Sequence, residues 1–158
     1  MPTIPWTAPR DGKARGAEPE GTSAAGRTGG AGGAGGAGDA IEDGAIEVMA
    51  SHFVLTSTRH TIAMLRSALA VRRAVLAAPG ALGVSLVARP LRREYFTLSA
   101  WMDRAALDAF VGNPHHRQAM RRLGPAMAQA RLVHWHPPAS AGAPTWAQAH
   151  EHLAAPAD

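Results

Sequence analysis

The run from Arg93 to Met120, REYFTLSAWMDRAALDAFVGNPHHRQAM, constrains the fold more than any other part of the chain. Tyr95 to Trp101 is rich in aromatic and β-branched residues, which favour a strand. Asp103 follows at once as a helix N-cap, and Asn113-Pro114 caps and restarts the helix with His115 and His116 in its first turn. A strand running straight into a helix gathers polar groups at the join, so chemistry is expected there. On the restarted helix His116, Met120 and Leu123 recur at spacings of four and three, which turns His116 inward and His115 towards solvent.

The pattern extends to both sides of this join. Glu47 to Ser57 reads as a strand with Met49, Ser51, Phe53 and Leu55 on one face and Val48, Ala50, His52 and Val54 on the other, both largely apolar. Thr61 to Ala78 is the clearest helix and is stopped by Pro79-Gly80. Arg72 falls inside its apolar arc, where a guanidinium must snorkel or pair, and Glu47 or Glu94 is the expected partner. Leu82 to Arg89 and Glu94 to Trp101 form an expected hairpin, Ala130 to His136 a last strand, and Thr145 to Leu153 a short helix.

The order strand, helix, strand, strand, helix, strand is the βαββαβ arrangement of α+β ferredoxin-like domains, with a four-stranded antiparallel sheet and both helices on one face. The first strand is apolar on both faces, so the second face needs a cover. A partner sheet in a C2 homodimer is the simplest one, giving a dimeric α+β barrel.

The 158 residues divide into an expected disordered Gly/Ala-rich tail at 1–44, one domain at 45–137, and a C-terminal extension at 138–158 carrying the short helix. The GGAGGAGGAG tract lacks the preceding strand, the fixed spacing and the Lys of a phosphate loop. Ile4 and Trp6 stand out in the tail as apolar residues able to dock on the domain or a partner, or to stay free. Zero cysteines exclude a disulfide framework and thiolate metal sites. Without a signal-peptide pattern or a membrane-length apolar run, a cytoplasmic chain with no membrane partner is expected. The net charge of +4 comes from scattered Arg with no recognition motif, so no nucleic-acid partner is expected.

From Val48 to Trp135, and chiefly in SAWMDRAALDAFVGNPHHRQAM, the chain resembles the antibiotic biosynthesis monooxygenases of the dimeric α+β barrel superfamily. The shared features are a strand ending in Trp, an acidic or polar cap, an apolar helix, then a small residue, Pro and His at the next turn. This resemblance implies a monooxygenase-like oxidoreductase acting on a small hydrophobic aromatic or polyketide-type compound, without metal or organic cofactor. The heme-degrading branch is similar in spacing. It carries Trp where Phe110 stands, an iron-ligating His where Met120 stands, and a catalytic Asn at the position of His52. These departures set the chain apart from that branch, so no cofactor is expected, with heme the alternative cofactor and a non-catalytic ligand-binding barrel the alternative function.

Cofactor-free oxygenation needs a substrate that can become a carbanion or phenolate, a base near neutrality and a dry pocket. His116 is the expected base with His52 second, and Arg72 is placed to stabilise an enolate. Trp101, Phe110, Tyr95 and Phe96 are expected walls and Met120 a substrate contact, although Trp101 reads first as a plug between strand end and helix. His134 and His136 share one side of the last strand, beside the first strand with His52. Their spacing fixes no third ligand, so no metal site is expected, and all three also read as hydrogen-bonded edge histidines. Asp103 and Asp108 read as a cap and a polar-face residue.

Overall fold

The structure is a computed structural model that describes residues 3–9 and 44–156, so the Gly-rich tract expected to be a linker lies outside the described residues. The elements are β1 (Thr3–Thr7), β2 (Glu47–Leu55), α1 (Thr61–Ala77), β3 (Ala81–Arg89), β4 (Glu94–Trp101), α2 (Arg104–Gly112), α3 (Pro114–Leu123), β5 (Met127–Trp135) and α4 (Trp146–Ala154). One sheet in the order β1-β3-β4-β2-β5 is antiparallel throughout. The α+β ferredoxin-like fold is as expected, with five strands where four were expected.

The additional strand corrects the reading of the chain's opening as a disordered tail. β1 pairs with the outer edge of β3, Thr3 opposite Val87, and Ser85 Oγ donates to the Ile4 carbonyl at 2.8 Å. Pro5 argues against a strand in the middle of a sheet but is tolerated at an edge, which is where β1 lies. A register irregularity between Ile4 and Thr7 sends Ile4 into the cluster around Val84 and Leu86 and Trp6 into the one around Phe96 and Leu98.

The strand-to-helix join forms as its local chemistry dictates. Asp103 Oδ1 accepts from the Ala106 amide at 2.7 Å, and Asn113 Oδ1 accepts from the His115 amide at 2.9 Å. The second cap, with Pro114 after it, divides the helical stretch into α2 and α3. Gly80, at φ +77, leaves α2 room, because a Cβ there would sit 2.6 Å from the Cβ of Ala106.

The sheet has two differently covered faces. On the first, Met49 and Phe53 of β2, Val84 and Leu86 of β3 and Thr97 and Ser99 of β4 look towards α1, α2 and α3. On the second, Val48, Ala50, Phe96, Leu98 and Ala100 are buried against Ala149 and Leu153 of α4, with Trp6 and Trp146 packed alongside. The cover expected from a partner sheet is thus supplied by the chain's own ends. Trp146 Nε1 donates to Ser85 Oγ at 3.0 Å, and the missing Cβ of Gly83 leaves space for the Trp6 indole. A capping box at Thr145 and Gln148 starts α4. Among the described residues no helix is long and apolar enough to cross a membrane.

Candidate functional site

A cavity of about 360 Å³ lies between the first face and the three helices. Its floor is Met49, Ser51 and Phe53, with Val84, Thr97 and Ser99 from the neighbouring strands. Met64, Ala68, Val71 and Val75 of α1 and Phe110, His116 and Met120 of α2 and α3 close it from above. Its margin runs past Leu132 on the edge strand β5, 53% exposed, and Val111 on α2, 40% exposed.

The polar groups in this cavity are few, and most are engaged. Ser51 and Thr97 hydrogen-bond each other across the β2–β4 ladder, where they are direct partners. Ser99 Oγ accepts from Trp101 Nε1 at 3.1 Å. The His116 ring lies 4.8 Å from that of Phe110, and its Nδ1 is buried with no hydrogen-bond partner. Burial lowers the His116 pKa below its ordinary value, so the ring is neutral at pH 7 and holds a lone pair inside an apolar wall. That makes it the cavity's group with spare proton-accepting capacity.

Of the side chains expected at the site, the fold brings His116, Phe110 and Met120 together around the cavity. Trp101 is 0% exposed and lies behind Phe110 with ring centroids 5.0 Å apart, so it plugs the strand end. Tyr95 points to the same face but sits beyond the cavity among Phe53, Leu55, Met64 and Leu123, its hydroxyl buried without a partner. His52 and Phe96 are stacked at 4.3 Å with Phe96 in the α4-covered cluster, so they face away from the cavity. Burial lowers the His52 pKa, against the opposing pull of Glu94 at 4.0 Å.

Arg72 is elsewhere too. Its Nη2 donates to Thr7 Oγ1 of β1 at 2.9 Å, while both of its expected partners are taken. Arg89 lies 3.4 Å from Glu94, and Glu47 sits against His134 and His136 at 3.0 and 2.5 Å. The strand histidines do not meet His52. β5 pairs so that Arg131 is opposite His52 and His134 opposite Met49, which puts His134 on the cavity face and His52 on the other.

Two features had no place at the site as read from the sequence. The hydroxyl row of Ser51, Thr97 and Ser99 was visible as small polar residues at positions that period-two alternation assigns to the core. Glu47, 1% exposed, gave a similar signal as a carboxylate in line with Met49 and Phe53. Among the described residues no group of three or more His, Cys, Asp or Glu is arranged to hold a metal ion. His134 and His136 aim ring nitrogens at the Glu47 oxygens instead of converging with them on a shared point.

The family model of antibiotic biosynthesis monooxygenase matches residues 59–122, from the turn before α1 to the end of α3. None of the curated proteins matches the chain. Among solved structures, a proposed antibiotic biosynthesis monooxygenase from Nitrosomonas europaea is similar at a TM-score of 0.55 and 14% identity, over 60% of this chain and 92% of that one. Another proposed antibiotic biosynthesis monooxygenase, from Caulobacter crescentus, is similar at a TM-score of 0.53 and 18% identity, over 58% and 89%. A mutant of SnoaB, a cofactor-independent oxygenase from Streptomyces nogalater, is similar at a TM-score of 0.50 and 11% identity, over 57% and 90%. At these identities the likeness is one of fold. Residues 59–122 match the antibiotic biosynthesis monooxygenase model, and the domain around them shares its fold with these solved structures.

Proposed function

We propose that the helix-side cavity is the active site of a monooxygenase that oxidises a small hydrophobic aromatic or polyketide-type compound with molecular oxygen, without metal or organic cofactor. The observation that carries this reading is His116. Its Nδ1 is unpartnered and buried in a wall of Phe110, Met120 and other apolar side chains, and its pKa is lowered by burial. A neutral imidazole accepts a proton from an activated methylene or phenol, and the dry walls keep water from the resulting anion. The anion then reduces oxygen. Overall one methylene and one O2 become one carbonyl and one water, so oxygen is the only oxidant needed. The description of SnoaB as a cofactor-independent oxygenase supports this chemistry by analogy of fold.

Phe110 and Met120 serve as substrate walls, and the Ser51–Thr97 pair offers a polar floor for a carbonyl or hydroxyl. For the homodimer expected from the sequence, the supporting surface is the free edge of β5, because α4 covers the second sheet face. A non-catalytic ligand-binding role is favoured by one fact: the floor hydroxyls already satisfy one another or Trp101. Oxygen uptake with an anthrone-type substrate separates the two. Uptake in the parent that falls about 100-fold or more in His116→Gln supports the oxygenase. Tight binding without uptake supports the binding protein, and a Soret shift on adding hemin would point to heme instead.

A further inference from the structure

Glu47 is the most deeply buried charged side chain described, at 1% exposure. A carboxylate at a core position costs stability that an apolar residue of like volume would not, unless its oxygens are engaged. Here Oε1 is hydrogen-bonded by one imidazole, and Oε2 has a second imidazole in close contact without a hydrogen bond. His134 Nδ1 is 3.0 Å from Oε1, and His136 Nε2 is 2.5 Å from Oε2, the latter off the line of a hydrogen bond. The two histidine side chains are 33% and 63% exposed and stand between the buried carboxylate and solvent.

A carboxylate can only accept, so the His134 nitrogen facing it carries the proton and Nε2 is left as a free lone pair. His134 is directly opposite Met49 in the β2–β5 ladder, and Met49 and Leu132 both line the cavity. The ring therefore stands on the cavity's own sheet face, next along from its margin.

The geometry points to a second proton-transfer site: His134, held by Glu47, accepts the O–H proton of a hydroxyaromatic ligand seated in the cavity, and His136 passes it to solvent. The proton adds to His134 Nε2, leaving the ligand as phenolate, and the imidazolium is stabilised by the adjacent carboxylate. The imidazolium then gives a proton through solvent to His136, two residues along the chain and 63% exposed, while Glu47 stays ionised. No oxidant or reductant takes part. Glu47 is a positioning residue, and Arg104 at the start of α2 is a cation whose charge and that of Glu47 act on each other. This site rests on the cavity being the ligand site but not on the ligand being oxidised.

4-Nitrophenol tests it, because its phenolate absorbs differently from the phenol and so reports the transfer directly. With the full chain, the ionisation midpoint of the bound probe is expected about one pH unit below that of the free probe. His134→Gln should return it to the free value and remove the roughly tenfold preference for phenolate over phenol that a one-unit shift implies, and Glu47→Gln should move it most of the way. His136→Gln should leave the midpoint but slow its response to a pH jump. A merely structural cluster would alter melting without moving the probe's midpoint, which would overturn the site, as would a midpoint that responds to His116→Gln alone. Failure of the probe to bind overturns the cavity reading together with this one. Phenolate formation through His134 without oxygen uptake upholds this site and removes only the oxygenase. If Glu47→Gln does not fold, the more exposed His134→Gln still decides the matter.

Discussion

On the helix side of the sheet Met49 and Phe53 look across a cavity of about 360 Å³, while their strand neighbours Val48 and Ala50, on the other side, lie at 0% exposure beneath α4. The same strand therefore serves two surfaces. One is apolar but incompletely filled, with an imidazole and a row of hydroxyls in its walls. The other is filled by Ala149, Leu153, Trp146 and Trp6 and fastened by polar contacts converging on Ser85, which donates to Ile4 and accepts from Trp146. Void space forfeits dispersion contacts, so the cavity face gives up packing energy that the closed face keeps.

Removing the closing element should have the largest effect. Deletion of residues 139–158 strips Trp146, Ala149 and Leu153 from the second face, at a cost of roughly 4–6 kcal/mol by burial of the large side chains. Thermal melting should fall sharply, and sedimentation should show association through the bared face. An unchanged melt would mean that α4 does not close it. Next in size is a matched pair of truncations. Leu98→Ala, on the closed face, should cost about 3–4 kcal/mol, and Leu86→Ala, at the cavity, about 1 kcal/mol less, because fewer neighbouring atoms are lost there. Urea denaturation of both variants checks this, and equal costs would erase the contrast.

Filling the cavity should act on binding more than on folding. Ala68→Leu, from α1 into the open space, should change stability by less than about 1 kcal/mol and weaken binding of a naphthol by tenfold or more. Ser51→Ala, which deprives Thr97 of its partner, should cost about 1 kcal/mol.

The smallest predicted effect concerns pH. Because burial lowers the folded-state pKa of His116, the unfolded chain binds its proton more readily. The stability tied to this group is full above the ordinary histidine value and is lost as pH falls below it towards the lowered folded value. His52, lowered chiefly by burial, adds in the same direction. Melting temperatures measured from pH 7.5 down to pH 5.5 should decline, and His116→Gln should flatten part of that decline.

The parts legible from the sequence were those fixed by local chemistry. The caps at Asp103 and Asn113-Pro114 set α2 and α3, and the spacing from His116 to Met120 set which ring turns inward. Alternation correctly grouped His52 with Val48 and Ala50. It could not say which face of a strand apolar on both sides the helices would cover, so His52 was expected in the pocket it faces away from. β1 was obscured by Pro5 and by its distant pairing with β3, and with β1 unseen Arg72 had no visible route to Thr7. Glu47 depended likewise on the register of β5, which brings His134 to the cavity face.

The most direct test of the two-face account is a map of where a hydroxyaromatic binds. In a titration with 2-naphthol followed by methyl and amide NMR, the largest shifts should fall on Met49, Met64, Ala68, Met120 and the His116 ring. Shifts centred instead on Leu98, Ala149 and Leu153 would contradict the account.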